Sequence, residues 1–236
     1  MNELPTHNNE TAEYAPEDFD RWWNSPGQWV EPANQRRGGE SGVCLLQQEE
    51  GRPPLYCKRQ TGHIYRTLCH PFGRPTILRE HQVYRAFARI GVKTPTIVYC
   101  AARKHQGQWQ ALLITEALEG FVSLEQWYGT GQHTNAQLNQ IMLRQLSATL
   151  ARMHRAAWQQ SCCYPKHIFV KVQENENAPP EVEIALLDLE KTRRRLRAKD
   201  AARHDLDQLG RRRGNMPEAD LLFICQTSQA LSETAC

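Results

Sequence analysis

A chain of 236 residues, 40% of them hydrophobic and 23% charged, can bury a sizeable core in one or two domains, which excludes a small disulfide-stapled scaffold. Apolar runs such as Ala111-Leu112-Leu113-Ile114 fall far short of the roughly 18 residues of a membrane span, so a soluble globular protein is expected. The net charge of +3 is unevenly spread: residues 1–35 carry seven acids against the single base Arg21, and residues 191–213 carry ten bases against Asp200, Asp205 and Asp207.

The first residues have neither the basic start nor the apolar core of a secretory signal, so a cytosolic, reducing setting is expected. The eight cysteines contain no C-x-x-C pair, and they read as reduced, buried thiols rather than a zinc site. The basic stretch attracts phosphates on nucleic acid, anionic lipid or a phosphorylated substrate; its plainer reading is a solvated loop.

Residues 1–30 read as an acidic arm, with Phe19, Trp22, Trp23 and Trp29 marking where the chain docks. Val43-Cys44-Leu45-Leu46 and Leu55-Tyr56-Cys57-Lys58, separated by Gly51-Arg52-Pro53-Pro54, predict a hairpin. After a loop with Pro71, Gly73 and Pro75, the apolar spacing of Ile77, Val83, Tyr84, Phe87 and Ile90 predicts a helix over 76–90, ended by Gly91. Strands are expected over 96–100 and 110–115 around a polar turn at 104–107. These strands and one helix then make a small β-rich lobe, residues 31–119. From residue 120 onward a mainly helical lobe is expected. Leu138, Ile141, Met142, Leu146, Leu150 and Met153 space out a long core helix over 135–156. Two strands follow over 167–172 and 183–189, with a turn at Pro179-Pro180, and a helical tail runs from Asp205.

A sheet-rich lobe followed by a helical one is the two-lobe plan of protein kinase-like phosphotransferases, an α+β fold. The candidate phosphate-handling residues fall in the matching order. Gly38, Gly39 and Gly42 lie in the first hairpin, where glycine lets backbone N–H groups approach nucleotide phosphates. Lys58 ends the second apolar strand, and Glu80, on the predicted helix, can pair with it. Asp188 leaves an apolar strand in Leu186-Leu187-Asp188-Leu189-Glu190, as a carboxylate that holds magnesium does.

The run from Met153 to Val170, followed by Ala185-Leu186-Leu187-Asp188-Leu189-Glu190-Lys191, resembles the InaA branch of the Kdo/WaaP lipopolysaccharide kinase family. So do Arg37-Gly38-Gly39, Tyr56-Cys57-Lys58-Arg59-Gln60, Arg79-Glu80 and Arg203-His204-Asp205-Leu206-Asp207-Gln208-Leu209, and the likeness covers roughly residues 30–225. It implies a protein kinase-like bilobal fold, ATP and Mg2+ as cofactors, and a sugar hydroxyl of lipopolysaccharide core as acceptor, at the cytoplasmic face of the inner membrane. It makes Lys58 the phosphate-binding lysine, Glu80 its partner, Asp188 the metal ligand, His167 the second metal ligand and Asp205 the carboxylate bracing the catalytic loop. The chain departs from the pattern at Cys162, which stands where active kinases of the family have the aspartate that receives the acceptor proton. Gln160 and Ser161 likewise replace a histidine and an arginine.

Cys162 therefore replaces the usual catalytic group, and a thiol can stand in for it only if nearby cations lower its pKa. Two readings follow. The first is an ATP-dependent phosphotransferase on a phosphorylated glycolipid, with the arginine block meeting its phosphates or an anionic membrane. The second is a nucleotide-binding pseudokinase with a regulatory or stress-response role. A nucleic-acid partner is disfavoured, because the basic block has no interleaved aromatics and fits no known module.

Overall fold

The computed structural model describes residues 18–36, 39–49, 51–68, 70–175 and 178–233. Two units divide the chain: Met1–His81 with Thr96–Ala117, and Gln82–Pro95 with Leu118–Cys236.

The first unit contains α1 (Asp18–Asn24), β1 (Gln28–Arg36), β2 (Gly39–Leu46), β3 (Leu55–Thr61), β4 (Ile64–Thr67), β5 (His70–Pro75), the beginning of α2 (Thr76–Arg89), β6 (Ile97–His105) and β7 (Gln108–Glu116). An antiparallel sheet runs in the order β1-β2-β3-β7-β6. β7 is an inner strand with both edges paired, and the unbroken buried run from Ala111 to Thr115 shows that both its faces are covered as well. The β6–β7 turn places Gln106 and Gly107 at φ +48 and +79, with His105 opposite Gln108, the paired left-handed geometry that suits a two-residue hairpin.

The two-residue period of β3 sorts its side chains. Leu55 and Cys57 join Phe19, Cys44, Leu46, Tyr99, Leu112 and Ile114 in a core closed by α1. On the same face Arg59 donates to the carbonyls of Trp22 (3.3 Å) and Ser25 (2.6 Å). Lys58 and Gln60 point the other way, toward the first turns of α2.

The second unit contains β8 (Val122–Ser123), α3 (Leu124–Gly129), α4 (Ala136–Arg155), β9 (Trp158–Gln159), β10 (Ile168–Asn175), β11 (Ala178–Leu186), β12 (Arg193–Arg194), α5 (Ala198–Arg211) and α6 (Glu218–Glu233). Ser123 and Gln126 form a capping box on α3, and the Asn135 side chain accepts from Leu138 N–H to start α4. α4 buries Met142, Leu143, Leu146, Leu150 and Met153 at helical spacing against α5, α6 and β11. One carboxylate fastens three helices: Asp220 on α6 accepts from Tyr128 Oη on α3 (2.8 Å) and from Asn139 Nδ2 on α4 (2.9 Å). Asn139 in turn accepts from the Trp127 indole at 3.1 Å. Among the described residues no helix is long and apolar enough to cross a membrane.

Four expectations change. β1 was not anticipated, because its sequence lacks alternation. The loop with Pro71, Gly73 and Pro75 is the β4–β5 hairpin. Pro179 and Pro180 do not form the turn; they open β11, an edge strand whose outer side tolerates a missing N–H, and the strand ends at Leu186 rather than 189. The helical tail begins at Ala198, not Asp205, since Ala201, Asp205 and Leu209 form a buried stripe that the surrounding arginines hide in the sequence.

Leu146 is fully buried in the α4 core. Leu146→Ala is expected to lower stability by about 2–5 kcal/mol, seen as a reduced urea midpoint with an unchanged slope.

Candidate functional site

In the first unit, the strand period that turns Lys58 toward α2 brings its Nζ to 2.7 Å from Glu80 Oε2. The Glu80 side chain is 3% exposed and that of Lys58 18%, so the carboxylate is buried and the ammonium reaches partly toward solvent. The start of α2 is pinned by Thr76, which donates to Gln60 Oε1 (2.8 Å) and bonds His63 Nδ1 (3.0 Å). Gly38 lies outside the described residues, as do Arg37, Cys69 and Cys236. Gly39 opens β2, and a Cβ there would come within 2.8 Å of backbone at Thr61, Gly62 and His63, so close chain approach demands its glycine. Gly42 pairs with Arg59, on the face of the sheet opposite Lys58.

In the second unit, the segment between β9 and β10 is wound around Asp205. The Asp205 side chain is fully buried. Its Oδ2 accepts from Gln160 N–H (2.7 Å) and lies 3.2 Å from His154 Nε2, while its Oδ1 accepts from Ser161 N–H (3.0 Å). His204 Nδ1 lies 3.3 Å from Oδ1. Ser161 holds φ +66, a left-handed conformation unusual for a residue with a Cβ, and it lets two successive N–H groups face one carboxylate. Gln208, one α5 turn beyond His204, accepts from Cys163 N–H (3.1 Å) and donates to the Ser161 carbonyl (2.9 Å).

Asp188 has left β11 and also sits in the left-handed region, at φ +56. Two bonds tie this strand exit to the loop: Gln160 Nε2 to the Leu187 carbonyl (2.9 Å), and Leu187 N–H to the His167 carbonyl (2.9 Å). Beyond Asp188, Thr192 Oγ1 donates to the Gln160 carbonyl (3.1 Å), and β12 pairs with β9. Cys162, His167 and Asp188 thus meet. His167 Nδ1 is 2.9 Å from the Cys162 carbonyl and 3.7 Å from Asp188 Oδ2. A bond to a carbonyl requires a proton on Nδ1, which leaves Nε2 as the lone-pair nitrogen, the arrangement of a metal-binding imidazole. The nitrogen that lies near the one-third exposed Asp188 carboxylate is this protonated Nδ1, so the carboxylate is the group here that suits a divalent cation which also takes phosphate oxygens.

The conditional expectation of a Cys162 thiolate fails. Burial, and then the negative charge of Asp188, push its thiol up to about 12, outweighing Lys191, and the thiol hydrogen-bonds Asp188. The arginines that were to lower it point to solvent: Arg193, Arg194, Arg195 and Arg197 are exposed. Cys163 is also buried and shifted upward, first by burial and then by Asp205. Sequence reasoning assigned no role to Gln208 or His154. Gln208 lay within the recognised 203–209 segment, three residues after Asp205, a spacing that puts both on one helix face.

A model of the lipopolysaccharide kinase (Kdo/WaaP) family matches residues 20–227. Protein InaA of Escherichia coli (strain K12) is 41% identical over 208 residues, covering 86% of this chain and 92% of that relative. A solved structure of WaaP in complex with acyl carrier protein superposes with a TM-score of 0.65 at 20% identity, covering 90% of this chain and 82% of that one. That likeness carries the fold alone, and the fold is protein kinase-like.

Two measurements check the site. Asp205→Ala strips acceptors from two loop N–H groups and is expected to cost about 2–4 kcal/mol in unfolding free energy. Cys162 in the folded protein should react with iodoacetamide near pH 8 about a hundredfold or more slowly than a free cysteine, followed by mass mapping.

Proposed function

The chain belongs to the lipopolysaccharide kinase (Kdo/WaaP) family, and from that premise we propose that it binds ATP with Mg2+ and transfers the γ-phosphate to a sugar hydroxyl of a phosphorylated glycolipid such as lipopolysaccharide core. The observation that carries this reading is the meeting of Asp188 with a His167 whose Nδ1 is committed to a carbonyl. Asp188 and His167 Nε2 would hold the magnesium ion, which when bound supplies charge neutralisation at phosphate oxygens.

The remaining roles belong to the chain. Lys58, held by Glu80, neutralises the α- and β-phosphates. The glycine segment of Gly38, Gly39 and Gly42 is assigned to the nucleotide phosphates, although Gly39 itself is packed against the Thr61–His63 backbone. Asp205 fixes the loop that presents Cys162. Cys162 itself is no base: its protonated thiol bonds Asp188, and the acceptor hydroxyl is placed without a carboxylate at this position. Phosphoryl transfer tolerates this, because a loose transition state draws mainly on positioning and electrostatics. The exposed arginines at 193–195 meet the phosphates of the acceptor, which brings the protein to the inner face of the inner membrane.

The same protonated thiol favours a second reading, a regulatory protein that binds nucleotide and transfers nothing. Thermal unfolding with and without Mg-ATP tests the shared premise. A native-state ligand at a hundred times its Kd adds about 2.7 kcal/mol, so the wild type should melt higher and Asp188→Ala should not. Absence of a shift in folded wild type overturns both readings. Turnover with lipopolysaccharide-core acceptors then separates them. Transfer by the wild type, raised at least tenfold in Cys162→Asp, supports the enzyme; a nucleotide shift with no transfer by either protein supports the regulator.

A further inference from the structure

The β4–β5 hairpin projects from the sheet of the first unit with two apolar side chains bare to solvent: Leu68 at 102% and Phe72 at 92% relative exposure. Single exposed apolar residues are ordinary, but a leucine and a phenylalanine this bare, four residues apart on one hairpin, form a feature of another kind. Its charge is one-sided as well. Residues 62–79 include Arg66, Arg74 and Arg79 and no aspartate or glutamate.

The hairpin is built to hold its shape. Gly73 has φ +90, a left-handed conformation that favours glycine, and it packs against the Ile64 side chain across the hairpin. His70 N–H donates to Thr67 Oγ1 (3.1 Å), and the Arg79 guanidinium lies over the Tyr65 ring at 4.8 Å. The base is fixed by Gly62 N–H to the Trp109 carbonyl (2.7 Å) and Thr76 N–H to the His63 carbonyl (3.2 Å).

We infer that this hairpin is a prong that docks the protein on an anionic lipid surface, with Leu68 and Phe72 entering the headgroup–acyl boundary and Arg66 and Arg74 meeting lipid phosphates. A convex prong needs a medium it can penetrate, whereas a protein partner would need a matching cavity. A bilayer supplies apolar depth and negative charge together, the combination that interfacial anchors use. This contact gives the membrane approach of the proposed function an apolar anchor on the first unit, and it needs neither nucleotide nor transfer, so it stands or falls separately.

The test is cosedimentation of the full chain, without nucleotide, with phosphatidylcholine vesicles that contain or lack phosphatidylglycerol, at about 0.15 M salt. Wild type is expected to partition onto the anionic vesicles only. The Leu68→Ser/Phe72→Ser double variant, whose changes are at exposed positions and whose fold is checked by circular dichroism, should lose about tenfold or more of that binding. Arg66→Glu should weaken it too. No partition of wild type overturns the lipid assignment and leaves a protein surface as the partner. Binding that survives the double change but is lost in Arg193→Glu/Arg194→Glu/Arg195→Glu overturns the hairpin's role and gives the membrane to the arginine segment.

Discussion

The second unit's candidate site hangs on one buried carboxylate. Asp205 accepts from the backbone of Gln160 and Ser161 and meets two imidazoles, those of His154 and His204. A buried carboxylate is costly to desolvate and is tolerated where its lone pairs are filled. Here the partners are loop amides, so the anion's demand for donors is what fixes the loop. The left-handed Ser161 is strained by itself and persists because its own N–H and that of Gln160 are claimed by the same side chain. Gln208 repeats the arrangement one turn later with neutral bonds to Cys163 and Ser161. Helix α5 thus acts as the loop's template, and its stripe of Ala201, Asp205 and Leu209 joins core packing to site geometry in one surface.

The loop so fixed carries a cysteine rather than a carboxylate, and this changes the electrostatics around Asp188. An aspartate at 162 would set two anions side by side and make the pair depend on a cation. A protonated thiol instead bonds Asp188 and leaves a single negative charge there. The strand exit tolerates this quietly, since Gln160 and Leu187 lock it through neutral bonds. In the first unit, Lys58 and Glu80 meet as an ion pair at 2.7 Å, with the carboxylate buried and the ammonium side chain 18% exposed. Each unit thus holds its candidate residues by contacts of its own.

Much of this was legible in the chain. The periodicity of α2 and α4 gave their bounds within a residue or so, because each buries a full apolar stripe. The contact of Lys58 with Glu80 was legible because β3's two-residue period turns Lys58 toward α2, and Asp188 was singled out as a carboxylate leaving an apolar strand. What stayed hidden had physical reasons. β1 lacks alternation, and the β4–β5 hairpin is written in proline and glycine, residues that signal loops. The arginines of 193–203 masked the start of α5 because alanine supplies most of its apolar face there. The state of Cys162 was out of reach from sequence, since it depends on burial and on a carboxylate 26 residues away that only the fold brings near.

The Asp220 clasp has a consequence for how the chain is made. Tyr128 and Asn139 wait for an acceptor that lies 92 and 81 residues further along. A ribosome adds residues at about 5–20 per second, so α3 and α4 spend several seconds with those donors served by water or by transient neighbours. Closure of the second unit waits until α6 has been made, and its long-range contacts slow it further. A nascent chain paused before α6 would expose the part of the α4 stripe that α6 covers for the length of the pause, which makes α6 the step at which cellular quality control would meet this protein.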